Sequence, residues 1–411
     1  MEFFFDEAEV AAGRKRAAAT RKPAPKLAGC AGCGLSRGRI TPRMEPHGQG
    51  TAGILIVGEA PGQTEDEQGR PFKGQSGRML REALAESHFD MDFACVATNV
   101  VQCRPVDDDG KNRAPEDDEI RACSPRLRAQ IERINPRLII ALGTPAISQV
   151  LHDAPFGPTA TNMHGRVVPS WAWRPEGTWV ACSFHPAWFI RENGKFDRRL
   201  GEVLRAGFAK LDEPSPALLD ENSFEVVEDV GAVEKLLTRL GNGDRRVSLD
   251  FETTGLDPWA EDFEILTFAV ADSVDYGYCV PLFHPHARWA GAEVVIFDLL
   301  KWFVESPCPK VLQNWQFEEI VSRVYLQREN GVRNVVRDTM LCEHVLDNRG
   351  GCCGQEFQEY VRYGSRHKAA VNVAALSREY LDVVARYNTL DARYCLRWAE
   401  DQDKELECRR I

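Results

Sequence analysis

Apolar and polar positions alternate along the first half of the chain in a pattern that predicts both strands and helices. Short apolar runs at Ile54–Val57, Phe93–Val101, Leu138–Leu142 and Thr178–Phe184 read as buried strands. Between and after them, amphipathic stretches at Arg78–Glu86, Glu116–Arg133, Pro145–Leu151 and Arg198–Leu211 read as helices. Strands separated by helices predict an α/β sandwich around a mainly parallel sheet. Ligands of such sheets bind beyond the strand carboxyl ends. The loops after Val57, Val101 and Phe184 are therefore expected along one edge.

The pattern then breaks. Asp212–Ser223 (DEPSPALLDENS) is acidic, carries Pro and Ser, and reads as a linker. From about Phe224 a helix (Val230–Leu240) precedes strands at Val247–Phe251, Phe263–Ala271 and Tyr276–Leu282, the last two joined by a turn at Asp272-Ser273. Another strand is expected at Lys310–Trp315, with mostly helical pattern to Ile411. Residues 1–29 carry Arg14, Lys15, Arg16, Arg21, Lys22 and Lys26 among alanines and prolines, which reads as a basic, solvated tail able to touch phosphates. The expected division is 1–29, 30–211, 212–223 and 224–411.

Composition narrows the class. With 411 residues, 43% hydrophobic and 27% charged, the chain suits two or three globular domains. Its net charge of −11 means that any nucleic-acid contact must come from local basic patches. Thirteen cysteines without regular close spacing do not form a secreted disulfide framework. The start MEFFFDEAEV is not a signal peptide, and no apolar run reaches membrane-spanning length. A soluble protein of a reducing cytoplasm, with no membrane partner, is expected.

The most specific stretch is Gly58–Gly77, GEAPGQTEDEQGRPFKGQSG, between the first strand and its helix. Its glycines permit tight turns and close backbone approach to a ligand, and Pro61 and Pro71 stiffen it. Phe72 lies where core packing is expected to have little use for it. Four cysteines, Cys30, Cys33, Cys103 and Cys123, have the spacing C-x2-C-x69-C-x19-C, which fits zinc, an iron–sulfur cluster or unliganded thiols. The loop closely resembles the uracil-binding loop of the iron–sulfur (family 4) uracil-DNA glycosylases, and Cys103 lies in NVVQCRP, similar to a cysteine motif of that family. The resemblance implies a uracil-DNA glycosylase-like α/β/α sandwich with a 4Fe–4S cluster on the four cysteines.

That resemblance assigns tasks. Phe72 offers a face for a flipped base, and the Asn99 amide can match uracil O4 and N3–H. His185, in SFHPAWFIR, can donate to O2 as charge develops there. Trp188, Phe189 and Ile190 offer apolar bulk to wedge into the vacated stack. Taken singly, Asn99 also reads as a strand-end turn residue, His185 as a helix cap before Pro186, and Phe72 as a core ring. Gly62 belongs to the uracil-binding loop; Glu65 falls where the family excludes the thymine methyl, and Glu59 falls near the attacking water. The aspartate that activates water in the best-known uracil glycosylases is replaced by Ala60, leaving Glu59 as the candidate to position it.

In the second half, Asp250 and Glu252 stand at i and i+2 of one strand and so project to one face. Tyr387 and Asp391 share a helix face at i and i+4. With Gln313–Glu318 between them, these stretches resemble the three motifs of DEDDy 3′–5′ exonucleases, as in the proofreading domains of family-A DNA polymerases. The resemblance implies an RNase H-like domain in which Asp250, Glu252 and Asp391 hold two Mg²⁺ or Mn²⁺ ions about 3.5–4 Å apart, with Tyr387 orienting water. The second motif usually ends in Asp and here ends in Glu318, whose extra methylene could either still reach the site or weaken the second metal.

The expected function is DNA repair or replication, combining uracil excision with 3′-end trimming. The alternatives are a non-catalytic uracil reader joined to an exonuclease, and an accessory to a separate DNA polymerase.

Overall fold

The computed structural model describes residues 29–192, 197–370 and 373–409 of the chain. The basic tail expected over 1–29 lies outside the described residues, Gly29 excepted.

The first sheet contains β1 (Ile54–Gly58), β2 (Cys95–Asn99), β3 (Leu138–Leu142), β4 (Val167–Ser170) and β5 (Thr178–Ser183). Their order is β2-β1-β3-β5-β4, parallel except for β4 against β5. Every residue of β1, β3 and β5 is buried. This is why these strands read as continuous apolar runs, since helices cover both faces. Leu55, Val57, Ile139 and Val180 enter one core with the helices Asp117–Ile134 and Thr144–Val150. Ile54, Ile56, Leu138 and Ile140 enter the other, with the helices Gln75–Ala85 and Asp197–Ala209. The architecture is the expected α/β/α sandwich.

Two details escaped the sequence pattern. The strand expected from Phe93 begins at Cys95, because the Asp90 carboxylate accepts the Phe93 N–H at 2.9 Å and caps a helical turn, Met91–Ala94. Strand β4 is an edge strand of four residues containing Pro169, a composition that argues against a strand in isolation.

The second sheet contains β6 (Phe224–Val226), β7 (Val247–Thr253), β8 (Ile265–Ala271), β9 (Gly277–Pro281), β10 (Lys310–Leu312) and β11 (Val335–Asp338). Its order is β11-β10-β7-β8-β9-β6. Strands β7, β8 and β9 form an antiparallel meander, and β10 and β11 run parallel to β7. This is the RNase H-like arrangement, with β6 added at one edge. The helix Leu381–Arg409 lies across β7, β8 and β9, bringing its side chains toward the middle of the sheet.

The halves also meet directly. From the helix Gln355–Tyr363, Phe357, Tyr360 and Val361 join the core that contains β1 and β3. The Tyr360 hydroxyl donates to Asp153 at 2.8 Å, and the Trp171 indole N–H donates to the Tyr363 carbonyl at 3.0 Å. Arg349 donates to the His164 carbonyl at 2.8 Å, and Arg166 pairs with Asp347 at 2.6 Å. Chain from beyond the linker therefore completes the hydrophobic core of the first half.

Candidate active sites

A cavity of about 370 Å³ opens beyond the carboxyl edge of the first sheet, lined by Glu59, Gly62, Glu65, Phe72, Asn99 and His185 among others. Asn99 ends β2, paired in register with Gly58 at the end of β1, and is buried. A Cβ on Gly58 would lie 2.5 Å from Asn99 Oδ1 and 2.6 Å from Phe72 Cζ, so glycine lets both side chains converge there. Phe72 adopts φ 56°, the left-handed region that non-glycine residues rarely occupy. A Cβ on Gly77 would fall 1.8 Å from the Phe72 carbonyl oxygen, so the turn requires glycine at that crossing.

Phe72 is only 5% exposed and belongs to the core containing Ile56 and Leu80, which corrects the expectation that packing has little use for it. Its ring also lies near-parallel to the His185 imidazole, with centroids 6.4 Å apart and planes at 24°. Glu65 braces the loop: its carboxylate accepts the Gly62 N–H at 3.1 Å and the Gly74 N–H at 2.6 Å. One side chain thus ties the two ends of the loop together.

His185 caps the helix Pro186–Arg191, its Nδ1 accepting the Ala187 N–H at 3.2 Å. Burial, helped by the Arg191 charge, pushes its pKa down to about 4, so the imidazole is neutral near pH 7. Burial also raises the Glu59 carboxyl, against the pull of Arg191. Of the apolar residues after His185, Phe189 is fully buried in the core and cannot wedge into a base stack. Trp188 stacks on Phe184 with centroids 4.4 Å apart. Asn112, Arg113 and Arg191 also line the cavity. They escaped the sequence reading because they lie outside the loop and the three predicted strand ends.

The four singled-out cysteines gather although they are far apart in sequence. The helix Gly29–Cys33, carrying Cys30 and Cys33, packs on Asp117–Ile134, which carries Cys123. Burial, with smaller contributions from Cys103, Cys33 and Cys30, pushes the Cys123 thiol up to about 11. The Cys103 thiol is raised by burial and then by Cys30 and Cys33, while the Arg43 N–H donates to its Sγ at 3.2 Å. Four gathered cysteine sulfurs with a backbone donor to one of them suit a cationic centre, which would favour the thiolate forms.

In the second half, ligand oxygens of Asp250, Glu252 and Asp391 lie within 4.8 Å of one another. Asp250 and Glu252 face Ala269 and Thr267 across the β7–β8 pairing. Asn388 donates to Asp250 Oδ2 at 2.7 Å and accepts from the Thr267 hydroxyl at 2.9 Å. Burial and the Asp391 charge push the Asp250 carboxyl up to about 7. Burial and the Asp250 charge hold Glu252 and Glu318 well above the usual carboxylate range. Glu318 is buried, and its Oε2 has no hydrogen-bond partner among the described residues. The site is therefore rich in carboxylates that need cations, and it suits divalent metal.

Three residues of this site were missed. His367 bridges Glu359 and Asp391, at 2.8 Å through Nδ1 and 2.7 Å through Nε2. Lys368 places Nζ 2.5 Å from Asp391 Oδ2. These cations outweigh the burial that would raise Asp391 and hold its carboxyl below the ordinary range. Tyr387 is buried beside them, with Lys368 Nζ 5.3 Å from its ring centroid; burial raises its hydroxyl pKa. The adjacent pair His367-Lys368 was the available signal, but it stands 23 residues before Asp391 with no periodic link to it.

The first fold and its cavity define a uracil-DNA glycosylase: residues 45–206 match the Uracil DNA glycosylase superfamily. Within it, the chain belongs to the type-4 uracil-DNA glycosylase family. It is 34% identical over 186 residues to the type-4 uracil-DNA glycosylase of Sulfurisphaera tokodaii, covering 45% of this chain and 79% of that relative. A DNA polymerase of Bacillus phage SP01 is 24% identical over 330 residues, 75% of this chain and 34% of the polymerase. The chain thus spans about a third of that relative. Among solved structures, the EXO domain of Aedes aegypti Nibbler aligns with 47% of this chain and 94% of its own, at 14% identity and TM-score 0.36. Among the described residues, no helix is long and apolar enough to cross a membrane.

Proposed function

We propose that this chain excises uracil from DNA with its first half and trims DNA 3′ ends with its second, as units 30–211 and 224–411 joined through 212–223. The convergence of Asn99, Phe72 and His185 on one cavity carries the first activity. A flipped uracil lies against Phe72 with its O4 and N3–H paired to the Asn99 amide. Cytosine offers the opposite donor pattern and is refused by roughly 1–3 kcal/mol.

Because His185 Nδ1 accepts from Ala187, Nε2 carries the proton. As the glycosidic bond breaks, its electron pair passes to the base, and Nε2–H stabilises the charge at O2. Glu59 positions the water that attacks the oxocarbenium-like sugar. Glu65 keeps the loop at the distance that excludes the thymine methyl. Cys30, Cys33, Cys103 and Cys123 would hold the 4Fe–4S cluster, which would cross-link distant segments. Iron in anaerobically purified protein and a broad absorbance at roughly 400 nm test it.

For the second activity, Asp250, Glu252 and Asp391, with Glu318, form the Mg²⁺ or Mn²⁺ site. Divalent ions held there would supply positive charge to the scissile phosphate and to the attacking water. Tyr387, kept neutral by burial, orients the water. The 330-residue similarity to a phage polymerase favours a further reading, in which the chain works beside a separate DNA polymerase. A reducing cytoplasm suits its thirteen free cysteines.

An end-labelled oligonucleotide with one internal uracil tests the proposal. Alkali-sensitive cleavage at uracil in EDTA is expected, with a 3′-end ladder only in Mg²⁺. A ladder with intact uracil points to a uracil reader joined to a nuclease; neither signal leaves the polymerase accessory.

A further inference from the structure

The nuclease site contains a cation of its own. Both oxygens of Asp391 are engaged by side chains: His367 Nε2 at 2.7 Å from Oδ1 and Lys368 Nζ at 2.5 Å from Oδ2. The Lys368 side chain is 18% exposed, and its Nζ lies 5.3 Å from the Tyr387 ring centroid. On the other side, Asp250 uses one oxygen for the Asn388 amide at 2.7 Å. The second Asp250 oxygen and Glu252 are the remaining ligands of that carboxylate group, and the buried Glu318, whose Oε2 has no hydrogen-bond partner among the described residues, adds its charge to theirs. The candidate site therefore divides into a lysine-served side at Asp391 and an acidic side at Asp250, Glu252 and Glu318.

We propose that Lys368 is a resident cation of the nuclease site, taking the place of one of two divalent ions, so that the free protein holds a single divalent ion on the Asp250 and Glu252 side. This rests on the nuclease reading above. An ammonium and a divalent ion of like sign repel strongly at contact distance. While Lys368 remains on Asp391, a second ion there would meet that repulsion and have to displace the lysine.

The test is Mn²⁺ binding to the full chain, measured by calorimetry and by the loss of free-Mn²⁺ paramagnetic resonance. The wild type is expected to take one ion and Lys368→Met two, with Lys368→Gln as a second neutral variant and Lys368→Arg keeping one. Circular dichroism checks that each variant is folded, and Asp250→Asn tests whether the binding belongs to this site. Two ions in the wild type, or one in both folded neutral variants, would overturn the inference while leaving the nuclease reading intact. No Mn²⁺ bound by the wild type, or binding unchanged in Asp250→Asn, would remove the nuclease reading and this inference with it.

Discussion

The Ala187 N–H donates to His185 Nδ1 at 3.2 Å, and this one bond makes His185 both the cap of its helix and a defined tautomer. A capping role and a substrate-facing role compete when the sequence is read alone. In the fold one requires the other, because an Nδ1 that accepts leaves Nε2 as the donor in the neutral ring. His185→Ala should therefore reduce uracil excision by about 10²–10³-fold, the usual cost of removing one such donor. The cap loss should destabilise the fold by only about 1 kcal/mol. Single-turnover excision compared with chemical denaturation separates the effects; near-normal excision would defeat the assignment.

The same burial fixes a pH response. His185 and His164 are both pushed down to about 4, burial being the largest cause in each. Between pH 6.5 and 4 the unfolded chain binds protons at these positions that the folded chain refuses. Their contribution to stability is thus present above the unfolded pKa and lost as pH falls through this window. A loss on the order of 2 kcal/mol is expected from the pair, allowing for partial solvent access. Denaturant titrations at several pH values should show His185→Asn flattening this slope. A slope unchanged in that variant would argue against a buried neutral imidazole.

How much was legible follows from what each signal depends on. Strands β1, β3 and β5 were readable because both faces are covered, leaving uninterrupted apolar runs. Asn99 and His185 were readable because one ends the strand β2 and the other stands two residues past the end of β5. The DxE pair was readable because its spacing matches the strand period. The His367–Lys368–Glu359 constellation was not readable, since its members meet Asp391 only through tertiary packing. Nor was the insertion of Gln355–Tyr363 into the first core: its amphipathic pattern predicts an apolar face but not which half of the chain will cover it.

The loop crossing at Gly77 should be intolerant of any side chain. Its Cβ would lie 1.8 Å from the Phe72 carbonyl oxygen, a backbone atom that cannot move aside as a flexible side chain would. Gly77→Ala is expected to displace Phe72 and cut uracil excision at least tenfold, while the Mg²⁺-dependent 3′ ladder continues. The two assays on one preparation check this. Loss of both activities would mean that the damage spreads through the shared core rather than staying in the loop.

The carboxylates at Asp250 and Glu252 impose the opposite pH trend on the metal-free protein. Asp250 is raised to about 7 by burial and then by Asp391, so the folded state takes up a proton that the unfolded state releases above about pH 4. Its contribution is fully present below the unfolded pKa and is lost as pH rises through 7. Asp250→Asn removes a buried negative charge and leaves an amide that can still pair with Asn388. Without metal it should therefore raise the melting temperature at pH 8 by a few degrees, on the scale of about 1 kcal/mol. The same variant should abolish the Mg²⁺-dependent ladder and leave uracil cleavage in EDTA unchanged. Parallel thermal melts and oligonucleotide assays read both effects: a variant melting lower than the wild type at pH 8 would contradict the electrostatic argument, and a persisting ladder would contradict the metal-site assignment.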